Sequence, residues 1–427
     1  MINTVINPDK GQREQLCRRP SIDTDVISDS VREILKEVRL QGDNALKRLT
    51  KLYTGTDLNS LKVTDEEINS AGDLLSEDLK SAIRLAAGNI ERFHGSQLYT
   101  EAATETMPGV LCWRKSVGIE KVGLYIPGGN APLFSTVLML GIPANIAGCK
   151  EIILCTPADK NGKINPAILF TAGLVGIRSV FMIGGAQAIA AMAYGTETVP
   201  KVDKIFGPGN QYVTRAKELI QTEGIAIDMP AGPSEVLVVA DEDANPSFVA
   251  ADLISQAEHG PDSQATLVTN SKTLLEGVLK CLSEQINELP QTTTTSISLD
   301  KSNLILMQSI EECFSFSNLY APEHLIIATR NARADAEKVA NAGSVFIGQY
   351  SCESAGDYAS GTNHTLPTNG YARSYSGLSV DSFIKKITFQ QITADGLKEL
   401  GKAIETMAEA ETLYGHKNAV SVRLKTI

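Results

Sequence analysis

Residues 122–129 read VGLYIPGG, a short apolar run that stops at Pro127 and the pair Gly128-Gly129. A run of this length bounded by turn residues predicts a strand buried on both faces. Runs of the same kind follow at Glu151–Cys155, Ser179–Ile183 and Lys204–Phe206, with helical spacing between them. Strand and helix in alternation build βαβ units, hence a parallel sheet covered by helices. A second series repeats the pattern at Glu235–Ala240, Thr266–Thr269, Leu304–Leu306, Leu325–Ala328 and Ser344–Ile347. The expected fold is α/β, with two Rossmann-like parallel-sheet domains and helical extensions at the N and C termini.

Outward from the sheets, Asp23–Tyr53 and Thr64–Phe93 carry helical periodicity. The second opens on the capping box Thr64-Asp65-Glu66-Glu67, whose side chains satisfy the first free amides. Stripes such as Val31, Ile34, Leu35 and Val38 need a partner surface, so these helices have a packing role. Leu397, Leu400, Ile404 and Met407 predict another helix over 394–412. The divisions expected are an N-terminal arm (1–22), a helical segment (23–116) packing on the catalytic domain, α/β domains at 117–233 and 234–380, and a C-terminal tail (381–427). A chain of 427 residues is long enough for such a multi-part core.

The 39 basic and 50 acidic side chains leave a net charge of -11, with no basic tract. That balance argues against nucleic acid and anionic membrane surfaces as partners. No apolar stretch reaches the length of a membrane span or a secretion signal, so a cytoplasmic protein is expected. Seven scattered cysteines without a CxxC pair suggest reduced thiols and no thiolate zinc knuckle.

Three strand ends of the first series run into turns of small residues: Tyr125–Gly129, Gly184-Gly185-Ala186-Gln187 and Gly207-Pro208-Gly209-Asn210. Such turns at the carboxyl ends of parallel strands form the rim where ligands bind, and their amides can approach a pyrophosphate closely. They are equally ordinary strand-to-helix turns. Neither GxGxxG nor a Walker motif is present, so the residues alone leave the nucleotide open.

Of five histidines, four lie beside acidic or amide side chains in loop-like contexts: His259 after Gln256 and Glu258, His324 after Glu323, His364 after Asp357, and His416 after Glu411. Gln256 and His259 are three apart at a helix end, which puts both on one face and suits two ligands of one metal. A mixed imidazole, carboxylate and amide set fits zinc or manganese better than a closed structural zinc site. Glu323 and His324 are adjacent at the entry to a strand, where neighbouring side chains point to opposite sides and can serve different protons. A zinc hydrolase acting on a small amide and a non-catalytic metal-binding protein are alternative readings of the same residues.

The segments VGLYIPGGNAPLFSTVLML, IGGAQAIAAMAYGTE, VDKIFGPGNQYV, IDMPAGPSEVLV, DLISQAEHGPDSQ, APEHLII, ESAGDYASGTNHTLPT and HKNAVSVR together resemble the histidinol dehydrogenase family, in the family's order from about Val117 to Arg423. The resemblance implies oxidation of L-histidinol through L-histidinal to L-histidine with two NAD+ and one water, the last step of histidine biosynthesis. It implies one Zn2+ per subunit, held by Gln256, His259, Asp357 and His416, that positions the substrate. His324 is then the general base and Glu323 activates water. NAD contacts fall on Tyr125, Gln187 and Asn210. Substrate contacts fall on Ser234, Gln256, His259, His324, Asp357, His364, Glu411 and His416. The family further implies a homodimer whose sites are completed across the interface by Glu411 and His416. Cys352, five residues before Asp357, has no neighbouring base or positive cluster to activate it, and no covalent thiol step is expected.

Overall fold

The computed structural model describes residues 2–19, 24–128, 132–229, 232–289 and 293–427, so the expectations at Asp23 and Gly129 lie outside the described residues. In chain order the strands are β1 (Asn3–Ile6), β2 (Thr104–Met107), β3 (Val110–Gly118), β4 (Lys121–Tyr125), β5 (Glu151–Thr156), β6 (Ser179–Met182), β7 (Lys204–Phe206), β8 (Ala226–Ile227), β9 (Glu235–Ala240), β10 (Gln264–Thr269), β11 (Asn303–Leu306), β12 (His324–Ala328), β13 (Ser344–Ile347) and β14 (Ile384–Ile392). Strands β4 to β8 form one parallel sheet in the order β6-β5-β4-β7-β8. A second parallel sheet runs β1-β11-β10-β9-β12-β13. In each, the first strand of the α/β series lies inside, two strands are added to one side and the chain then returns to the other, which is doubly-wound, Rossmann-like order.

The all-apolar strands are explained by burial on both faces. Val122 and Leu124 are fully inaccessible, and the helix Phe134–Ile146 is buried along residues 135–144 because it lies between the sheet and the helix Glu77–Gly95. Each such side chain contributes roughly 1.5–3 kcal/mol by leaving water. The second sheet divides its core in two: Val236 and Val238 pack on one side with Leu253, Leu237 and Val239 on the other with Phe316.

The N-terminal helices differ from expectation in two ways. They pack mainly on the first sheet's helices, Thr24–Gln41 lying against Gly185–Tyr194 and Gln211–Thr222, while Glu77–Gly95 also touches the second domain, where Asn89 Nδ2 donates to the Ala359 carbonyl (2.9 Å). Their stripe residues Val31 and Val38 join the same core as Leu124. Both predicted helices are also interrupted, one by Gly42 at φ 52° and the other by a 3-10 turn that ends before Ser76, the cap of Glu77–Gly95. The Thr64 capping box forms as expected.

The segment 23–116 is not helical throughout. β2 and β3 form a hairpin, and β3 pairs antiparallel with β14 from Gly118↔Ile384 to Val110↔Ile392. Trp113 stacks on Phe389 across this pair, with centroids 5.4 Å apart. The arm is likewise committed within its own chain, since β1 lies parallel to β11 at the edge of the second sheet. The C-terminal helix Ala394–Ala410 forms as expected, and Tyr414–Leu424 packs on it.

Candidate active site

The two sheets present opposite ends to one cleft of about 770 Å³. The wall from the first sheet comes from segments following β7 and β8, including Asn210 and Asp228, which are carboxyl ends. The second sheet contributes Ser234, Ser263 and Glu323, which immediately precede β9, β10 and β12 and are therefore at amino ends.

The Gly207 turn is shaped by a buried ion pair. Lys217 pairs with Asp228, and both side chains are under 5% exposed. Lys217 Nζ also donates to the Gly207 carbonyl (3.0 Å), while Gly207 N–H donates to Asp228 Oδ2 (2.8 Å). Gly207 has φ 122°, and a Cβ there would lie 2.1 Å from the Tyr125 carbonyl oxygen, so only glycine fits. Asn210 caps the helix Gln211–Thr222 through Tyr212 and Val213 N–H.

On the opposite wall, Glu323 and His324 are buried. The expectation that they point apart is corrected: Glu323 Oε2 lies 3.5 Å from His324 Nδ1. Glu323 precedes the strand rather than belonging to it, and two residues earlier Ala321 adopts φ 54°, so the strict alternation of strand side chains does not apply. Glu323 Oε2 accepts the N–H of Glu235 (2.7 Å), and His324 Nδ1 lies 3.2 Å from the carbonyl oxygen of the same residue. Gly343 lets the adjacent strand approach, because a Cβ there would sit 2.6 Å from the Glu323 carbonyl oxygen.

Around His324 the structure gathers His259, Glu353 and Asp357, whose possible ligand atoms lie within 4.8 Å of one another. His259 Nε2 is 3.6 Å from Asp357 Oδ2 and 4.0 Å from Glu353 Oε1; His324 Nε2 is 3.5 Å from Asp357 Oδ1. Burial alone would raise Asp357, but the imidazoles of His259 and His324 hold it well below the usual carboxylate range. Burial drives Glu353 up to about 8, against the pull of His324 and with the push of Asp357. For His324, burial opposes the charge, yet the surrounding carboxylates, Glu323 foremost, raise it well above the ordinary imidazole value.

Gln256 is fully buried, and among the described residues neither its amide oxygen nor its nitrogen has a hydrogen-bond partner. An orphaned amide of this kind signals an absent ligand or ion. His364 Nδ1 lies 2.9 Å from the Asp357 carbonyl and its Nε2 3.1 Å from Thr136 Oγ1, so it spans the two domains beside the cluster. Ser234 lines the same cleft.

Glu353 was missed from the sequence although it stands four residues before Asp357 on the helix Glu353–Tyr358, the spacing of one helical face. Asp252, also missed, accepts the Glu353 N–H and is pushed up to about 7 by burial. Tyr125 and Gln187 do not line the cleft; both are buried nearby, and Tyr125 Oη accepts the Gly185 N–H (3.0 Å), tying the first turn to the second. Glu411 and His416 are exposed on the C-terminal segment and are not among the residues the chain brings to the cluster. Cys352 is exposed at the start of the helix Glu353–Tyr358. No described helix is long and apolar enough to cross a membrane.

Two doubly-wound parallel sheets thus meet at a cleft with the Gly207 turn on one wall and the buried Glu323-His324 pair on the other, an α/β architecture of Rossmann-like order. An acetylating aldehyde dehydrogenase from Geobacillus thermoglucosidasius shares the fold at 14% identity, with TM-score 0.50 over 89% of this chain and 94% of that one. The family model for histidinol dehydrogenase matches residues 17–424. A curated histidinol dehydrogenase from Bacteroides thetaiotaomicron is 58% identical over the whole of both chains. The crystal structure of histidinol dehydrogenase from Elizabethkingia anophelis superposes with TM-score 0.98 at 56% identity, covering 100% of this chain and 98% of that one. The chain belongs to the histidinol dehydrogenase family, oxidoreductases of the last step of histidine biosynthesis.

Proposed function

We propose that this enzyme converts L-histidinol to L-histidine in two successive oxidations at one site, through L-histidinal, with two NAD+ and one water. The observation that carries the reading is the buried Glu323-His324 pair, both anchored on the backbone of Glu235 and opening onto the cluster of His259 and Asp357. It gives one proton acceptor for each oxidation.

The donors fit a zinc ion. His259 and Asp357 converge, and the orphaned Gln256 amide supplies a neutral oxygen from the same wall. Zn2+, one per subunit, would be held by Gln256, His259, Asp357 and His416, and its chemistry is to fix the substrate's imidazole and amino nitrogens. Glu353 lies within reach of the same position. NAD+, when bound, takes up one hydride in each oxidation, with Tyr125, Gln187 and Asn210 as its contacts on the turns of the first sheet.

The chain's own groups divide the proton work. With the carboxylates that charge His324 in the metal-free chain neutralised by a bound cation, His324 keeps its Nδ1 proton on the Glu235 carbonyl, and its Nε2 takes the proton from the substrate hydroxyl. Glu323 removes a proton from the water that adds to the aldehyde carbon, giving the hydrate that the second oxidation converts to the carboxylate. Ser234 and His364 position the substrate from the cleft walls.

A homodimer supplies what the single chain lacks. Met407, Leu413 and Tyr414 leave apolar surface exposed on the C-terminal segment that carries Glu411 and His416, and such patches mark docking surfaces. Exchange of that segment brings both residues to the partner's site. The compartment proposed is the cytoplasm.

Zinc-loaded enzyme mixed with L-histidinol and NAD+ tests the reading through NADH absorbance and product analysis. Two NADH and one histidine per histidinol consumed are expected; no NADH from fully metallated protein overturns it.

A further inference from the structure

The catalytic pair is held by one residue, Glu235, which offers both of its backbone groups to it: N–H to Glu323 and carbonyl to His324. What fixes Glu235 in turn is therefore decisive for catalytic geometry. Its own carboxylate is gripped in fork fashion by Arg19, with Nε at 3.0 Å from Oε1 and Nη2 at 2.8 Å from Oε2. The pair is deeply buried, with side-chain exposures of 7% and 2%. Asn369 N–H adds a third bond to Oε1 at 2.7 Å.

Arg19 does more than neutralise a buried charge. Its Nη2 also donates to the carbonyl of Tyr320 (2.8 Å), three residues before Glu323, and its guanidinium carbon lies 3.5 Å above the Tyr320 ring. Nη1 donates to the Cys17 carbonyl (2.7 Å), which anchors the guanidinium to the N-terminal arm. The guanidinium thus joins the two segments that carry the pair: the start of β9, whose backbone the pair is bonded to, and the turn Tyr320-Ala321-Pro322 that delivers Glu323. A planar fork that stacks and bonds in two directions is something arginine provides and lysine does not.

We propose that Arg19 is a positioning residue for the catalytic pair, acting through Glu235 and the Tyr320 turn to set the distances at which Glu323 and His324 meet the substrate. The proposal rests on the proton-transfer roles assigned to that pair. It gives the N-terminal arm a catalytic consequence although Arg19 touches neither substrate nor cofactor.

The test uses full-length, zinc-loaded enzyme carrying Arg19→Ala or Arg19→Lys, beside Glu323→Gln and His324→Asn. Arg19→Ala is expected to lower kcat by on the order of a hundredfold, the cost of a small misplacement of reacting groups. KM for both substrates and zinc content stay unchanged, and added guanidinium ion restores turnover while methylammonium does not. Should Arg19→Ala fail to fold, Arg19→Lys carries the test, with the same fall in kcat at unchanged KM. Unchanged kcat in the Arg19 variants, with Glu323→Gln and His324→Asn impaired, overturns the role of Arg19 alone. A loss that follows zinc content or folded fraction and ignores guanidinium overturns it as well. Full activity in Glu323→Gln and His324→Asn overturns both this inference and the reading beneath it.

Discussion

His324 Nδ1 lies 3.2 Å from the carbonyl oxygen of Glu235, and because a carbonyl only accepts, the nitrogen facing it carries the proton. The other ring nitrogen, Nε2, has no hydrogen-bond partner among the described residues and stands 3.5 Å from Asp357. An imidazole oriented by a backbone carbonyl is a preorganised base.

Replacing His324 by Asn removes the proposed base while leaving the neighbouring wall intact. Turnover of histidinol is expected to fall by roughly 10²–10⁴-fold, the usual contribution of a positioned general base. Steady-state kinetics with unchanged KM for NAD+ check this, and near wild-type turnover would sink the assignment.

The C-terminal segment offers a test of shared sites. Mixed dimers of His324→Asn and His416→Ala subunits contain one site with both lesions and one with neither. Random exchange makes half of the dimers mixed, so about a quarter of wild-type activity should return from two inactive parents. No gain on exchange would place His416 outside the partner's site.

Stability of the metal-free enzyme should depend on pH through Glu353. Its folded value is driven from an ordinary 4.5 up to about 8, so between those values the native state holds a proton that the unfolded chain releases. Stability is therefore greatest at the acid end of this window and falls as pH rises through it, by at most about 1.4 kcal/mol per pH unit for one group. His324, raised above its ordinary 6.5, acts in the same sense: its contribution is complete below that value and is lost as pH rises through the folded one. Glu353→Gln should flatten the fall in Tm between pH 5 and 8 seen by calorimetry; an unaltered slope would contradict this placement of the proton.

Cys352 offers a clean negative. It is exposed and lies outside the group His259, Glu353 and Asp357. Cys352→Ser should keep wild-type turnover, and a loss of more than about tenfold would restore a covalent thiol step to consideration.

How far the sequence reached depended on the range over which each signal acts. The parallel strands were legible because burial on both faces writes continuous apolar runs such as residues 122–126, and the Thr64 box because a cap is local. The sheet of β2, β3 and β14 was not, because its strands are half exposed and β14 pairs with a partner far away in sequence. His259, Glu323, His324 and Asp357 were legible as chemistry beside loops. Arg19 was not, since its meaning lies in Glu235, 216 residues on. Glu353 could have been found from its spacing to Asp357. His416 is exposed and lies apart from the cluster within the chain, and its part in a site rests on the proposed dimer.

The division of labour between Glu323 and His324 is tested most directly by product analysis of zinc-loaded Glu323→Gln acting on L-histidinol with excess NAD+. With His324 intact and the carboxylate proposed to activate water gone, histidinal should accumulate with about one NADH formed per histidinol consumed. Histidine appearing at the wild-type rate, with two NADH per histidinol, would contradict the account.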